Sequence, residues 1–119
     1  MYEMDRREPF WWGLFSLGGV IAALFVPVHI FIHGLAVPLG LVEGQVLTYE
    51  PMRVLVGSAF VKVYILGLVA LPLCHAAHRV RFTLYELGLR NTGLPLGLLC
   101  YGFALTVAFV AAYILFQLV

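Results

Sequence analysis

An all-α integral membrane protein with three membrane-spanning helices is the fold class this sequence predicts, on two observations. Hydrophobic residues make up 63% of the 119 residues and mean hydropathy is +1.02, while only 11% are charged. A soluble domain carries roughly 25% of its residues as Asp, Glu, Lys and Arg, so much of the apolar surface here must face something other than water. The second observation is where the charges fall, because they divide the chain into three long apolar stretches. The whole of 1–119 reads as a single membrane domain without a soluble catalytic part.

The first stretch runs from Glu8 to Glu43, with 34 residues between them and no Asp, Glu, Lys or Arg. A span needs roughly 20 apolar residues at about 1.5 Å rise each, which gives one helix at roughly 12–38, long and tilted. Pro27 near its middle removes a backbone hydrogen bond and predicts a kink, which neighbouring helices or water can re-satisfy. Glu43–Arg53 holds Gly44, Pro51 and three charges and reads as a loop. Between Arg53 and Arg79 only Lys62 is charged, giving a second span at roughly 55–77. Arg79–Asn91 reads as a polar connection that starts as continued helix and ends near Gly93 and Pro95. No charge follows Arg90, which leaves a third span at roughly 95–118.

Arginine placement sets the expected orientation. Arg6 and Arg7 precede the first span, and Arg79, Arg81 and Arg90 lie between the second and third, whereas Arg53 sits beside Glu43 and Glu50. The positive-inside rule then puts the N-terminus and second loop in the cytoplasm and the C-terminus on the periplasmic or extracellular side. Trp11, Trp12 and Tyr85 mark the inner interface on this reading, and Tyr49 and Tyr113 the outer one. The N-terminal charges are of mixed sign and the apolar stretch after them exceeds the roughly 7–15 residues of a signal h-region, so the segment is expected to be retained.

Several function classes are disfavoured. Net charge is +1 with no basic stripe, which argues against nucleic acid. Cys74 and Cys100 lie in apolar runs without disulfide or CxxC spacing, and read as spare buried thiols. Ala104, Ala108 and Ala112 form a small-residue stripe that fits either packing within the chain or contact with another membrane protein. The Gly93/Gly97 pair has similar spacing but straddles Pro95 at a helix start, and is discounted.

Ionisable residues at membrane depth are costly and are the natural functional candidates. His29 and His33 are four apart and share a helix face in the outer half of span one. They read either as hydrogen-bonded to a neighbouring helix or as haem or metal ligands. Lys62 reads as snorkelling or pairing within the bundle, with a transport role as the alternative. His75, His78 and Arg79 crowd the inner end of span two, at the depth of Trp12. One reading is an interfacial belt of arginine, tryptophan and solvated histidine. The other is a pocket for a quinone, which needs a flat apolar wall, a fixed cation and a group that exchanges protons near neutral pH. Composition alone leaves both open.

The ordered segments EPFWWGLFSLGG, VPV, LAVPLGLVEG, LTYE and LPLCHAAHR resemble the D subunit of bacterial fumarate reductase, the smaller of that complex's two membrane anchors. The resemblance covers Glu8 to Phe82. It implies a non-catalytic anchor within a four-subunit oxidoreductase in the bacterial cytoplasmic (inner) membrane. Its expected partners are the second, C-type membrane anchor, an iron–sulfur subunit and a flavoprotein subunit, with flavin and iron–sulfur clusters on the latter two. It also implies menaquinol oxidation in anaerobic respiration, at a pocket facing the iron–sulfur subunit, and an anchor free of haem. Trp12 matches the tryptophan lining that pocket, and His78 and Arg79 match the histidine–arginine pair beside the quinone ring. The implied roles are packing for Trp12, hydrogen bonding and proton acceptance for His78, and carbonyl polarisation for Arg79. Two alternatives stand beside this: a haem-b-binding anchor of a succinate:quinone oxidoreductase, with His29, His33 or His75 as ligands, and a small homo-oligomeric transporter or channel built around Lys62 and the histidines.

Overall fold

The computed structural model describes residues 8–118, so Arg6 and Arg7, which weigh in the expected orientation, lie outside the described residues. Within them the chain is all-helical, and three helices are long and apolar enough to cross a membrane. Helix α1 is Glu8–Phe31, continued by a wider π turn over Ile32–Ala36. Helix α2 is Tyr49–Gly57, α3 is Ala59–Glu86, and α4 is Gly93–Tyr113 with a terminal π turn Ile114–Leu118.

Local chemistry accounts for the helix limits. Pro9, Pro51 and Pro95 occupy first turns, where an absent N–H removes no helical hydrogen bond. Pro27 and Pro72 are interior, yet each helix continues through its proline. Two glycines at positive φ close the ends. Gly40 (φ 72°) follows the first span, where Leu41 N–H donates to the Ala36 carbonyl and Gly40 N–H to that of Val37. Gly88 (φ 116°) does the same for α3, with bonds from Leu89 to Leu84 and from Gly88 to Tyr85. Both are Schellman closures, which need a left-handed residue and therefore favour glycine.

These limits correct the sequence reading in three places. Span one starts at Glu8 rather than 12, because Pro9 opens the helix. The expected loop before span two contains α2, a short exposed helix carrying an Arg53–Glu50 ion pair at 3.2 Å. It is separated from α3 by Ser58, whose ψ of 131° breaks the helical path. Span two therefore begins at Ala59, not 55. The helix continues past 77 to Glu86, in line with the expectation that the stretch from Arg79 starts as continued helix, since nothing between Arg79 and Glu86 stops it. At 28 residues α3 is about 42 Å long, more than the roughly 30 Å hydrocarbon core.

Helix α3 is the centre of the bundle, packing antiparallel against α1 on one side and α4 on the other. The α1–α3 contact rests on Gly18, where an added Cβ would strike the backbone carbonyl of Leu71. The α3–α4 contact is built from small residues: Ala77 meets Cys100 and Ala104, the latter 1% exposed, with Leu73, Leu96 and Tyr101 around them. The alanine stripe is thus used within the chain at Ala104. Gly97, discounted from its spacing, is buried and lies 3.4 Å (from an ideal Cβ) from the Arg81 guanidinium. No polar residue is buried among the described residues, and large apolar side chains are exposed along all three long helices. That distribution suits lipid and neighbouring membrane proteins as surroundings.

The antiparallel order sorts the polar groups into two ends. One end joins the start of α1, the last turns of α3 and the start of α4. The other joins the end of α1, the start of α3 and the end of α4. At this second end His29 Nε2 and the Tyr64 hydroxyl are 2.8 Å apart, His33 stacks on His29 at 6.0 Å, and the Lys62 ammonium lies 5.7 Å from the Phe116 ring centre. Lys62 thus lies beside a half-exposed aromatic ring, and His29 is bonded to the neighbouring helix.

Candidate functional site

The candidate residues converge at the first end. His78 projects from α3 toward both flanking helices. Its Nδ1 is 2.7 Å from the Tyr101 hydroxyl of α4. Its ring lies 4.6 Å from Phe15 of α1 and 4.6 Å from Phe82 one helical turn along α3. Trp12 meets it edge-on, with ring centres 6.3 Å apart, and meets Phe15 likewise at 6.0 Å. With the Tyr101 ring, four aromatic rings thus surround one half-buried imidazole, and the Trp12 indole itself is 60% exposed. The other imidazole nitrogen, Nε2, makes no hydrogen bond among the described residues.

His75, one turn back, serves a different purpose. Its Nδ1–H donates to the Phe15 carbonyl at 2.9 Å, and its ring stacks on the Phe15 ring at 4.3 Å. The ring is seated on Gly19, where a Cβ would come within 2.8 Å of His75 Cε1. A carbonyl oxygen has a second lone pair beyond its helical bond, so this link ties α3 to α1 without breaking α1. His75 thereby fixes Phe15, and Phe15 forms one wall at His78.

Arg79 is exposed and makes no hydrogen bond or ion pair among the described residues. Successive helical residues point about 100° apart, so Arg79 stands beside His78 on a different face. The structure brings Trp12 and His78 together and leaves Arg79 at the rim. Arg81 instead folds back over the Tyr101 and Phe82 rings, 5.4 and 5.7 Å from their centres. A shallow groove of about 560 Å³ lies on the α4 side of this end, lined by Arg81, Gly97, Tyr101 and neighbours. It excludes Trp12, His78 and Arg79, whose own surroundings open outward from the bundle.

Phe15, Tyr101 and the Gly18–Gly19 seat were not singled out from the sequence. Tyr101 left a legible signal, since a phenol at membrane depth needs a partner and antiparallel spans put it level with His78. The glycine pair could have been read as a close helix approach.

The sequence model of the fumarate reductase D subunit matches residues 3–116, nearly the whole chain. The chain belongs to the family of fumarate reductase D subunits. Relatives bearing the same description agree with that. One from Vibrio cholerae is 34% identical over 111 residues, covering 93% of this chain and 85% of the relative. One from Vibrio vulnificus is 32% identical over 122 residues, covering 98% and 97%. One from Mycobacterium bovis is 39% identical over 109 residues, covering 91% and 86%. This family is a membrane anchor of the fumarate reductase complex rather than its catalytic part, and the three apolar helices are those of a multi-pass membrane protein. As a member of it, the chain works in company with other fumarate reductase subunits.

Proposed function

We propose that this anchor holds the iron–sulfur and flavoprotein subunits of fumarate reductase on the bacterial cytoplasmic membrane, together with the second, C-type anchor, and lends Trp12, His78 and Arg79 to the site where menaquinol is oxidised during anaerobic respiration. The observation that carries the reading is the meeting of Trp12 and His78 at 6.3 Å, at the bundle end that also holds Arg79 and Arg81. Oxidising a quinol removes two electrons and two protons, so the site needs a flat wall, a proton acceptor and a cation near a carbonyl oxygen. Trp12, with Phe15 and Phe82, supplies the wall. His78 supplies an imidazole with Nε2 uncommitted. Arg79, exposed and unpaired among the described residues, supplies a guanidinium that stays charged at any working pH.

On this reading the site is shared, and the residues completing it belong to the neighbouring subunits. Arg79, Arg81 and Arg90 at this end support a cytoplasmic placement, facing the iron–sulfur subunit that takes the electrons. The reading keeps the anchor free of haem, as the resemblance implies.

The test is a pair of activities measured on the purified complex. In His78→Ala and Arg79→Ala complexes, menaquinol-driven fumarate reduction should fall by about 10²-fold, the usual worth of a positioned proton acceptor. Fumarate reduction by a viologen donor, which bypasses the anchor, should survive. Menaquinol-driven rates at the wild-type level in both variants would overturn the reading.

A further inference from the structure

We infer that Tyr101 is a positioning residue for quinol oxidation: its hydroxyl oxygen accepts from Nδ1–H of His78 as the imidazole takes a proton from the quinol, and so steadies the imidazolium that forms. The inference rests on the menaquinol-site reading and extends it to a residue on α4. A neutral imidazole carries one N–H and one lone pair. His78 can accept a proton at Nε2 only while Nδ1 carries its hydrogen. The Tyr101 oxygen lies 2.7 Å from Nδ1 and is that nitrogen's partner. The hydroxyl can donate to or accept from a neutral imidazole, but once Nε2 is protonated Nδ1 must carry hydrogen, and the Tyr101 oxygen then accepts a charge-assisted bond from it that favours the imidazolium. In the step itself the quinol O–H bond breaks and an N–H bond forms at Nε2. The electrons leave one at a time to an iron–sulfur cluster of the neighbouring iron–sulfur protein, and the second quinol proton follows the second electron to Nε2 after the first has passed from there to water.

Tyr101 is held by its neighbours on α3 and α4, with its remaining face toward the open groove. Ala77, the residue before His78, is buried against Cys100 and Ala104, which flank Tyr101 in the α3–α4 contact. The Arg81 guanidinium covers the Tyr101 ring at 5.4 Å. The hydroxyl therefore has little freedom to leave the imidazole. His75 holds its Nδ1 in the corresponding way against a backbone carbonyl, with its ring pressed on Gly19 and stacked on Phe15.

Tyr101→Phe in the assembled complex removes the hydroxyl and keeps the ring under Arg81. The expected result is a fall of about 10–100-fold in kcat for menaquinol oxidation, the worth of one hydrogen bond to a charged group. KM should change little, the solvent deuterium isotope effect on kcat should grow, and viologen-driven activity should match wild type. In a His78→Ala background the same substitution should cost nothing further, since both act through one group. Should the phenylalanine variant not assemble, 3-fluorotyrosine at position 101 preserves the packing and should give a kcat between the two. If His78→Ala impairs menaquinol oxidation but kcat and the isotope effect are unchanged by Tyr101→Phe or 3-fluorotyrosine, the Tyr101 inference fails alone. A rise confined to KM would likewise overturn it. If His78→Ala leaves menaquinol oxidation intact, the site reading itself fails.

Discussion

Gly18 and Gly19 are adjacent, both lie where α1 crosses α3, and alanine at each meets a different obstacle. At Gly18 the added carbon meets the Leu71 carbonyl, which belongs to the α3 backbone and cannot rotate away. The helices must separate, an overpacking cost of about 1–3 kcal/mol, or roughly 5–150-fold in an assembly equilibrium. At Gly19 the carbon meets the His75 ring instead, 2.8 Å from Cε1. A side chain can turn, but turning gives up the hydrogen bond to the Phe15 carbonyl, about 0.5–1.5 kcal/mol. Alanine returns up to about 1 kcal/mol of helix propensity at either position, so Gly19→Ala should come out near neutral and Gly18→Ala clearly destabilised. The discriminating measurement is a double-mutant cycle on thermal inactivation of the detergent-solubilised complex. In a His75→Ala background, where the ring is gone, Gly19→Ala should become stabilising, and the Gly18→Ala penalty should persist. Equal stability of Gly18→Ala and wild type, or a Gly19→Ala effect indifferent to His75, would refute the packing account.

Two further outcomes follow from the placement of the site and its expected orientation. Trp12→Ala should raise the KM for menaquinol about 2–12-fold, the value of one aromatic contact, with a smaller effect on kcat; Trp12→Phe should recover most of the loss in steady-state assays. A C-terminal alkaline phosphatase fusion should be active and a C-terminal green fluorescent protein fusion dark, because the odd number of spans and the arginines put that end outside the cytoplasm.

The three spans were legible because charge is the cheapest signal a membrane sequence carries. Glu8, Glu43, Arg53, Arg79 and Arg90 bracket the apolar stretches, and no soluble fold tolerates such spacing. The limits of the second span were less legible, since charge and helix are separate properties. Arg79 and Arg81 leave the hydrocarbon without leaving the helix, and only Gly88, with its left-handed φ of 116°, stops it. Conversely α2 carries charge and is helical, and its boundary at Ser58 depends on a single extended ψ.

At the site, His78 and Trp12 could be found because ionisable and amphipathic groups at one depth stand out in an apolar sequence. Their partners could not. Phe15 is one aromatic among many until His75 binds its carbonyl, and Tyr101 acquires meaning only when α4 docks on α3 through Ala77, Cys100 and Ala104. The same docking turned Gly97 into a seat for Arg81, which its neighbour Pro95 had argued against. Pairings across helices are set by packing register, and register is what single-sequence periodicity leaves open.

The central claim is that quinol meets this anchor at the end of the bundle where Trp12, His78 and Arg79 lie. Photolabelling of the intact complex with an azidoquinone, followed by peptide mapping of this chain, tests that most directly. Label should concentrate in the peptides spanning 9–15 and 75–82 and be displaced by menaquinol. Label confined to the opposite end, around Tyr64 and Phe116, would contradict it.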